Sequence, residues 1–471
     1  MNSSIRSVIR LKSPSIKLLW LLIYNLYATG RIICPRLDEC LSVILFSFWI
    51  IICGMKDMLG RGEVMTAEAA LDLLIRSLPA KTPHKTKVTV EDSLGLICAE
   101  DIVSQEDLPQ FARSTVDGYA VKAEDTFGAT EGMPAYLGLA DEILMGQKPD
   151  FALSKGLAAK IPTGGMLPGD ADAVAMFEHV QTVDTTTIEV LKAVVPGENV
   201  IQAGEDVKRG ERVVPEGRRI RPQDIGACTG IGVTSVHVYE RPRVSIISTG
   251  DEIVPAAASP AMGQVRDINS YVLAGMISEA DCVAIRKGII SDEYAAIRAA
   301  VEGSMEDSDA IIVSGGTSVG TKDMIARIID DIGNPGVIFH GVSLKPGKPM
   351  IGGVMHGTPI FGLPGHPAAV SVCFEIFIRP VLDLLSGLVE KFPQRARACM
   401  KARLSKNISS PQGREEHIRV VIEQRDGEFW AVPLLGKSGL ITTLVKADGT
   451  IVVPLNINGL EAGTVVDVRL F

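Results

Sequence analysis

This 471-residue chain lacks most of the signatures that would give it a familiar chemistry. No two of its eight cysteines form a CxxC pair, and no Cys/His cluster has zinc-ligand spacing. Scattered cysteines in a chain this long read as buried thiols of a reducing compartment rather than as disulfides. No serine–histidine–acid motif and no metal-grade histidine cluster occurs. The nucleotide P-loop pattern G-x-x-x-x-G-K-[ST] is absent too. Positive charge is in deficit: 47 Lys and Arg face 56 Asp and Glu, a net charge of −9. With a pI near 5.5, that balance excludes a general nucleic-acid binder. Any anion must therefore be held by local lysines and backbone amides.

What is present is an ordinary globular composition, 46% hydrophobic and 22% charged, so disorder is not expected. The length implies roughly three domains, give or take one. Residues 1–62 differ from the rest, since two of the three Trp and three of the eight Cys lie before residue 60. Their apolar runs, 18–28 and 41–53, both fall short of the roughly 20 residues that span a bilayer. Arg6, Arg10, Lys12 and Lys17 precede the first run, as in a signal peptide, but nothing downstream is secretory in character. The preferred reading is an atypical hydrophobic extension ahead of a true start at Met55, Met58 or Met65. A membrane-associated extension and a cleaved signal are the alternatives, and the expected location is the cytoplasm.

From Met65 the periodicity predicts a helix over 66–78, capped by Thr66, with Ala70, Leu71, Leu74, Ile75 and Leu78 at helical spacing. Residues 63–110 and 201–238 are expected to form one discontinuous N-terminal domain, the later segment packing back on that helix. Residues 111–200 read as a small β-rich domain of short segments broken by Gly and Pro. Strands and helices then alternate over 239–388, which predicts a doubly wound α/β domain. Residues 389–471 are strands and turns, a β-barrel or sandwich, with the barrel adopted here.

Three stretches in the α/β region carry the chemistry: AIIVSGGTSVGTKD, VSLKPGKPMIGG and IFGLPGHP, between Ala310 and Pro367. Each apolar run reads as a buried parallel strand ending in a loop. Ligands of open parallel sheets bind beyond such strand ends. In the first loop Ser314, Gly315, Gly316, Ser318 and Gly320 offer N–H and O–H donors suited to a phosphate-like oxyanion, unless they only make a tight turn. In KPGKP the prolines flank Gly347 and fix the backbone, so Lys345 and Lys348 are held as point charges for an anion. Pro364 and Gly365 stiffen a third turn whose N–H groups can face the same ligand; His366 there is a ligand, an acid/base group or a plain turn residue.

Acids stand at other turns and strand ends. Asp117 lies in STVDGYAV and Glu252 ends STGDE; a plain turn and a helix cap are their bland alternatives. With Asp292 and Asp323 they are candidates to converge on a cation such as Mg²⁺, which takes carboxylates and substrate phosphates together.

In this order the strings resemble the molybdopterin molybdenumtransferases, the MoeA and gephyrin E-domain family, over about residues 63–471. The resemblance rests on STVDGYA (114–120), PTGGMLPGDADAVAMFE (162–178), RPRVSIISTGDE (241–252), DINS (267–270) and SGGTSVGTKD (314–323). It continues through KPGKP (345–349), GLPGHP (362–367), GREEHIR (413–419), GKSG (436–439) and KADG (446–449). It implies an elongated homodimer of four-domain subunits, the third domain having the molybdopterin-binding α/β fold. The implied reaction takes adenylylated molybdopterin and molybdate, inserts the metal into the dithiolene and releases AMP, with Mg²⁺ assisting. By motif match it adds Thr163, Arg419 and Ser438 as substrate-binding residues beside Asp292. Asp117, Glu252 and Asp323 are expected to hold Mg²⁺ and to act catalytically, together with Lys345 and Lys348. Asp117, far in sequence from the third domain, is expected to reach the site from a partner subunit. Expected partners are the substrates, a second copy, the adenylyltransferase of the preceding step and the molybdoenzymes that accept the cofactor; nucleic acid is not among them. Two departures stand out: His366 replaces a usual Asn and His417 a usual Phe. A molybdopterin adenylyltransferase and a non-catalytic scaffold are the alternative functions.

Overall fold

The computed structural model describes residues 64–79, 83–315, 319–388 and 399–471. The hydrophobic extension 1–62 lies outside the described residues, as do Gly316 and Ser318 of the expected anion loop.

The first helix runs Ala67–Ser77, and the Thr66 hydroxyl accepts the Ala69 N–H at 3.2 Å, the expected cap. Beyond it, Lys85–Thr89 pairs antiparallel with Ser235–Tyr239 and Ile102–Val103 with Arg212–Val214. Val90, Cys98, Val214, Ile231 and Val238 fill the core between these segments. One expectation is corrected. The helix does not cover that core but packs on the 335–340 and 351–355 strands of the α/β region. Its buried Ala70 and Leu74 make a narrow face. The strand Ile351–Met355 under it contains Gly352 and Gly353, where a Cβ would strike the Phe339 ring and Ile329 respectively.

Residues 118–190 form a six-stranded sheet in the order 173–176, 118–121, 157–161, 135–142, 187–190, 180–182. It buries Ala120, Ala158, Ala159, Ala173 and Ala175 beside larger side chains such as Leu137, Ile161 and Ile188.

The α/β region is built from β1 (Arg243–Thr249), α1 (Asn269–Glu279), β2 (Val283–Ile290), α2 (Tyr294–Met305) and β3 (Ala310–Gly315). It continues with α3 (Val319–Ile332), β4 (Pro335–His340), β5 (Ile351–Met355), β6 (Thr358–Leu363) and α4 (Pro367–Cys373). The sheet order is β2-β1-β3-β6-β5-β4. Strands β2, β1, β3 and β6 are parallel; β1, β3 and β6 are buried, hence their apolar runs, while β2 at the sheet edge stays partly exposed. The expectation that KPGKP follows a parallel strand is corrected: β4 and β5 are antiparallel to each other, and β5 to β6. Apolar runs bounded by glycine reveal burial, not direction. The KPGKP segment joins β4 to β5, and because Ile351 opposes Gly362 it emerges at the same sheet edge as the carboxyl end of β6.

The last region closes into a five-stranded barrel. Strand 415–425 pairs with 428–433 on one side and 449–453 on the other, and 399–404 and 465–470 complete the ring. Leu344–Lys345 then adds to the outside of 415–425, pairing Leu344 with Glu415 and Lys345 with Glu416. That short pairing ties the KPGKP segment to the barrel wall.

Candidate functional site

Between the α/β loops and the barrel lies a cleft of about 470 Å³. One wall comes from 344–349 and 364–369, the other from 414–419 and 434–438. Each piece is positioned by a local rule. Gly347 has φ +123°, and a Cβ there would stand 2.7 Å from the Cys373 sulfur, so only glycine lets the lysine loop lie against α4. Gly315 has φ +148°, and its missing Cβ would fall 1.9 Å from the Thr249 carbonyl oxygen; the ends of β1 and β3 touch because no side chain intervenes.

Asn269 joins these ends to the cleft. Its Nδ2 donates to Ser314 Oγ at 3.0 Å and to the Gly365 carbonyl at 2.9 Å. The Asp267 carboxylate accepts from Ser248 Oγ (2.9 Å), Ser270 N (3.1 Å) and Ser270 Oγ (2.7 Å) and so fixes the start of α1. Thr249 Oγ1 and Asn269 Oδ1 are buried there with no hydrogen-bond partner.

The cleft is cationic. Among the described residues, Lys345, Lys348, Arg414, Arg419 and Lys437 line it against a single carboxylate, Glu416. Lys345 Nζ sits 2.7 Å from Glu416 Oε1, and Glu416 Oε2 accepts from Ser410 Oγ at 2.6 Å. Arg419 is only 7% exposed, and its Nε, like that of Arg414, is buried without a partner. Burial lowers the Arg419 pKa from its ordinary value. His417 is buried with Nε2 2.7 Å from Glu415 Oε1, and this hydrogen bond holds the Glu415 carboxyl below the usual range. His366 Nδ1 lies 2.9 Å from Ser438 Oγ, across the mouth.

Lys345, Lys348, Pro364, Gly365, Arg419 and Ser438 thus meet in one cleft, with Ser314 and Gly315 attached through Asn269. Gly320 falls in the first turn of α3. Asp117 and Thr163 lie elsewhere: Asp117 Oδ1 accepts the Thr163 N–H at 2.7 Å and its hydroxyl at 3.0 Å, which lowers the carboxyl pKa. Glu252, Asp292 and Asp323 do not line the cleft; the Asp292 N–H donates to Asp251 Oδ1 at 3.2 Å, and Asp323 is exposed on α3. Asp117, expected to serve the site from a partner subunit, does not form a three-carboxylate group with Glu252 and Asp323 of its own chain. Among the described residues no three His, Cys, Asp or Glu side chains are grouped to hold a metal ion. The physical reason is placement: Asp117 precedes a strand of the β-rich sheet, whereas Glu252 and Asp323 follow the neighbouring strands β1 and β3. Sequence reasoning passed over Asn269, Arg414 and Lys437 as site residues. DINS, GREEHIR and GKSG contained them, but only the tertiary contacts reveal what they face.

The signature of a probable molybdopterin binding domain covers residues 245–384. It is flanked by those of the MoeA N-terminal region (domain I and II) at 65–232 and the MoeA C-terminal region (domain IV) at 401–471. A putative molybdopterin biosynthesis protein of Methanocaldococcus jannaschii is 36% identical, over 82% of this chain and 92% of its own. The molybdopterin molybdenumtransferase of Bacillus subtilis is 32% identical over 81% and 89%. A crystal structure of a molybdopterin biosynthesis MoeA protein from Pyrococcus horikoshii superposes with a TM-score of 0.74 at 30% identity, covering 87% of this chain and all of that one. The chain belongs to the MoeA family of molybdenum cofactor biosynthesis.

Proposed function

We propose that the protein is a molybdopterin molybdenumtransferase that holds adenylylated molybdopterin and molybdate at this cleft, inserts the metal into the dithiolene and releases AMP. The observation that carries the reading is the unbalanced charge, five cationic side chains to one carboxylate, with two guanidinium Nε atoms buried and unpaired. An uncompensated buried charge is costly to the folded chain. Such a set makes sense when an anion completes it. Lys345 is shared with Glu416, so Lys348 and Arg419 take the larger part in holding molybdate or the phosphate charge that develops as the pyrophosphate link breaks. The donors around Ser314 and Gly315 suit the phosphate end of the pterin. Residues 65–232 and 401–471 also match, which disfavours an adenylyltransferase needing only the α/β region.

Mg²⁺ takes one or two carboxylates plus substrate phosphates and keeps several waters. Glu252 and Asp323, which follow the neighbouring strands β1 and β3, are the carboxylates that would hold Mg²⁺ on a substrate phosphate, where it would neutralise developing charge; no step is assigned to the ion. The reading includes a cytoplasmic homodimer in which the Asp117–Thr163 corner of one copy serves the cleft of the other. The test is AMP release from adenylylated molybdopterin, with and without molybdate and Mg²⁺. Molybdate-dependent AMP is expected, falling about 100-fold or more in Lys348→Ala. AMP release indifferent to both molybdate and Lys348 would overturn the reading.

A further inference from the structure

His366 immediately precedes α4, yet its side chain makes no capping bond to that helix. The carbonyl does the local work, accepting from Ala369 N at 2.9 Å and Val370 N at 3.0 Å. The ring instead reaches across the cleft: Nδ1 meets Ser438 Oγ at 2.9 Å, and alongside it Ala368 N donates to the Ser438 carbonyl at 3.2 Å. A Cβ on Gly439 would stand 3.6 Å from the imidazole Cδ2, so the 436–439 loop lies against the ring. An exposed histidine thereby touches a hydroxyl that lines a cleft of cations.

We propose that His366 is a positioning residue that sets the direction of the Ser438 hydroxyl, so that the cleft binds a tetrahedral oxyanion more tightly when the imidazole is protonated. A neutral ring with its proton on Nε2 accepts the Ser438 O–H at Nδ1. The hydroxyl then shows the cleft only lone pairs, which repel an oxyanion. A protonated ring donates from Nδ1 to Ser438 Oγ, and the O–H turns to the anion. The same proton adds a charge at the mouth. The other charged and titratable groups facing this space are Lys345 and Lys348 from the lysine loop, Arg414, Glu416, His417 and Arg419 from the barrel wall, and Lys437 beside Ser438. Glu416 is engaged by Lys345, and His417 turns Nε2 to Glu415, so among the described residues the Ser438 hydroxyl is met by the His366 ring.

The inference rests on the oxyanion reading of the cleft, and the experiment separates the two. Molybdate binding to the full-length protein is measured calorimetrically between about pH 6 and pH 8.5, for wild type, His366→Asn, Ser438→Ala and Lys348→Ala. Wild type should bind about three- to tenfold tighter at the acid end, one charge-assisted hydrogen bond and one added charge being gained there. His366→Asn, whose amide can donate to Ser438 Oγ at any pH, should bind with little pH dependence. Ser438→Ala should be weak and equally flat. By linkage, saturating molybdate should tighten proton binding to His366 by the same factor, read from its imidazole NMR shifts. A pH slope surviving in His366→Asn, or a His366 pKa unmoved by molybdate, would overturn the inference while leaving the oxyanion site intact. Absence of molybdate binding, or binding indifferent to Lys348→Ala, would remove the site and the inference with it.

Discussion

The cleft and the Asp117 corner hold the two kinds of charge that the proposed reaction draws on, and the fold treats them in opposite ways. At Asp117 the carboxylate is satisfied by its own sheet: the N–H and O–H of Thr163 both donate to one oxygen. In the cleft, Arg419 is buried with its Nε unpaired, and Lys348 forms no ion pair among the described residues. An acid that already has donors costs the folded chain little and can wait for a partner. A buried cation without a counter-ion costs stability at all times, and an arriving anion recovers it. The positive half of the proposed site is therefore assembled within one chain, while the negative half is not.

The sharpest way to break that comparison is Arg419→Met. If Arg419 serves the ligand, molybdate-dependent AMP release should fall about 100-fold, because a preorganised charge at the reacting phosphate is lost. Thermal stability should hold or rise, since an unpaired buried charge gives way to an apolar side chain of similar length. A fall in melting temperature that matched the loss of activity would make Arg419 a structural residue and dissolve the contrast.

A mixing experiment tests the other half. Asp117→Asn and Lys348→Ala subunits should each be inactive alone. In an isologous dimer whose sites each draw on both copies, equal mixing restores one intact site in half of the dimers, about a quarter of wild-type activity. No recovery on subunit exchange would place Asp117 in the service of its own chain, and full activity of Asp117→Asn alone would leave it a turn residue.

The two regions also differed in how far they could be read in advance. Lys345 and Lys348 were legible because prolines around Gly347 announce a fixed loop, and Gly347 does sit at φ +123° against Cys373. Thr66 announced its helix, and the cap is there. Strand direction was not legible: β4 and β5 are as apolar as β1 and β3, and hydrophobic runs do not distinguish an antiparallel hairpin from a parallel crossover. Nor was the destination of the first helix, since Ala70 and Leu74 name a buried face but not the glycine-bearing strand beneath it. Asn269 was hidden for a related reason. Its two acceptors lie 45 and 96 residues away, and only the folded sheet brings Ser314 and Gly365 to one amide.

The smallest expected effect sharpens the contrast from the side of stability. Behind the unpaired cations, Glu415 is half-buried and paired with His417, and the hydrogen bond from that ring lowers its carboxyl pKa below the ordinary value of 4.5. A depressed folded-state pKa contributes stability that is fully present above the unfolded value and lost as pH falls through the folded one. Glu415→Gln should therefore lower urea stability at neutral pH by at most about 1 kcal/mol, the partly exposed pair being screened. The difference from wild type should close as pH drops below about 4.5. Molybdate affinity should stay within about twofold, because a satisfied pair keeps its charge to itself. A large loss of affinity with no change in acid stability would mean that Glu415 tunes the cleft through His417, and that the satisfied and unsatisfied charges form one network rather than two.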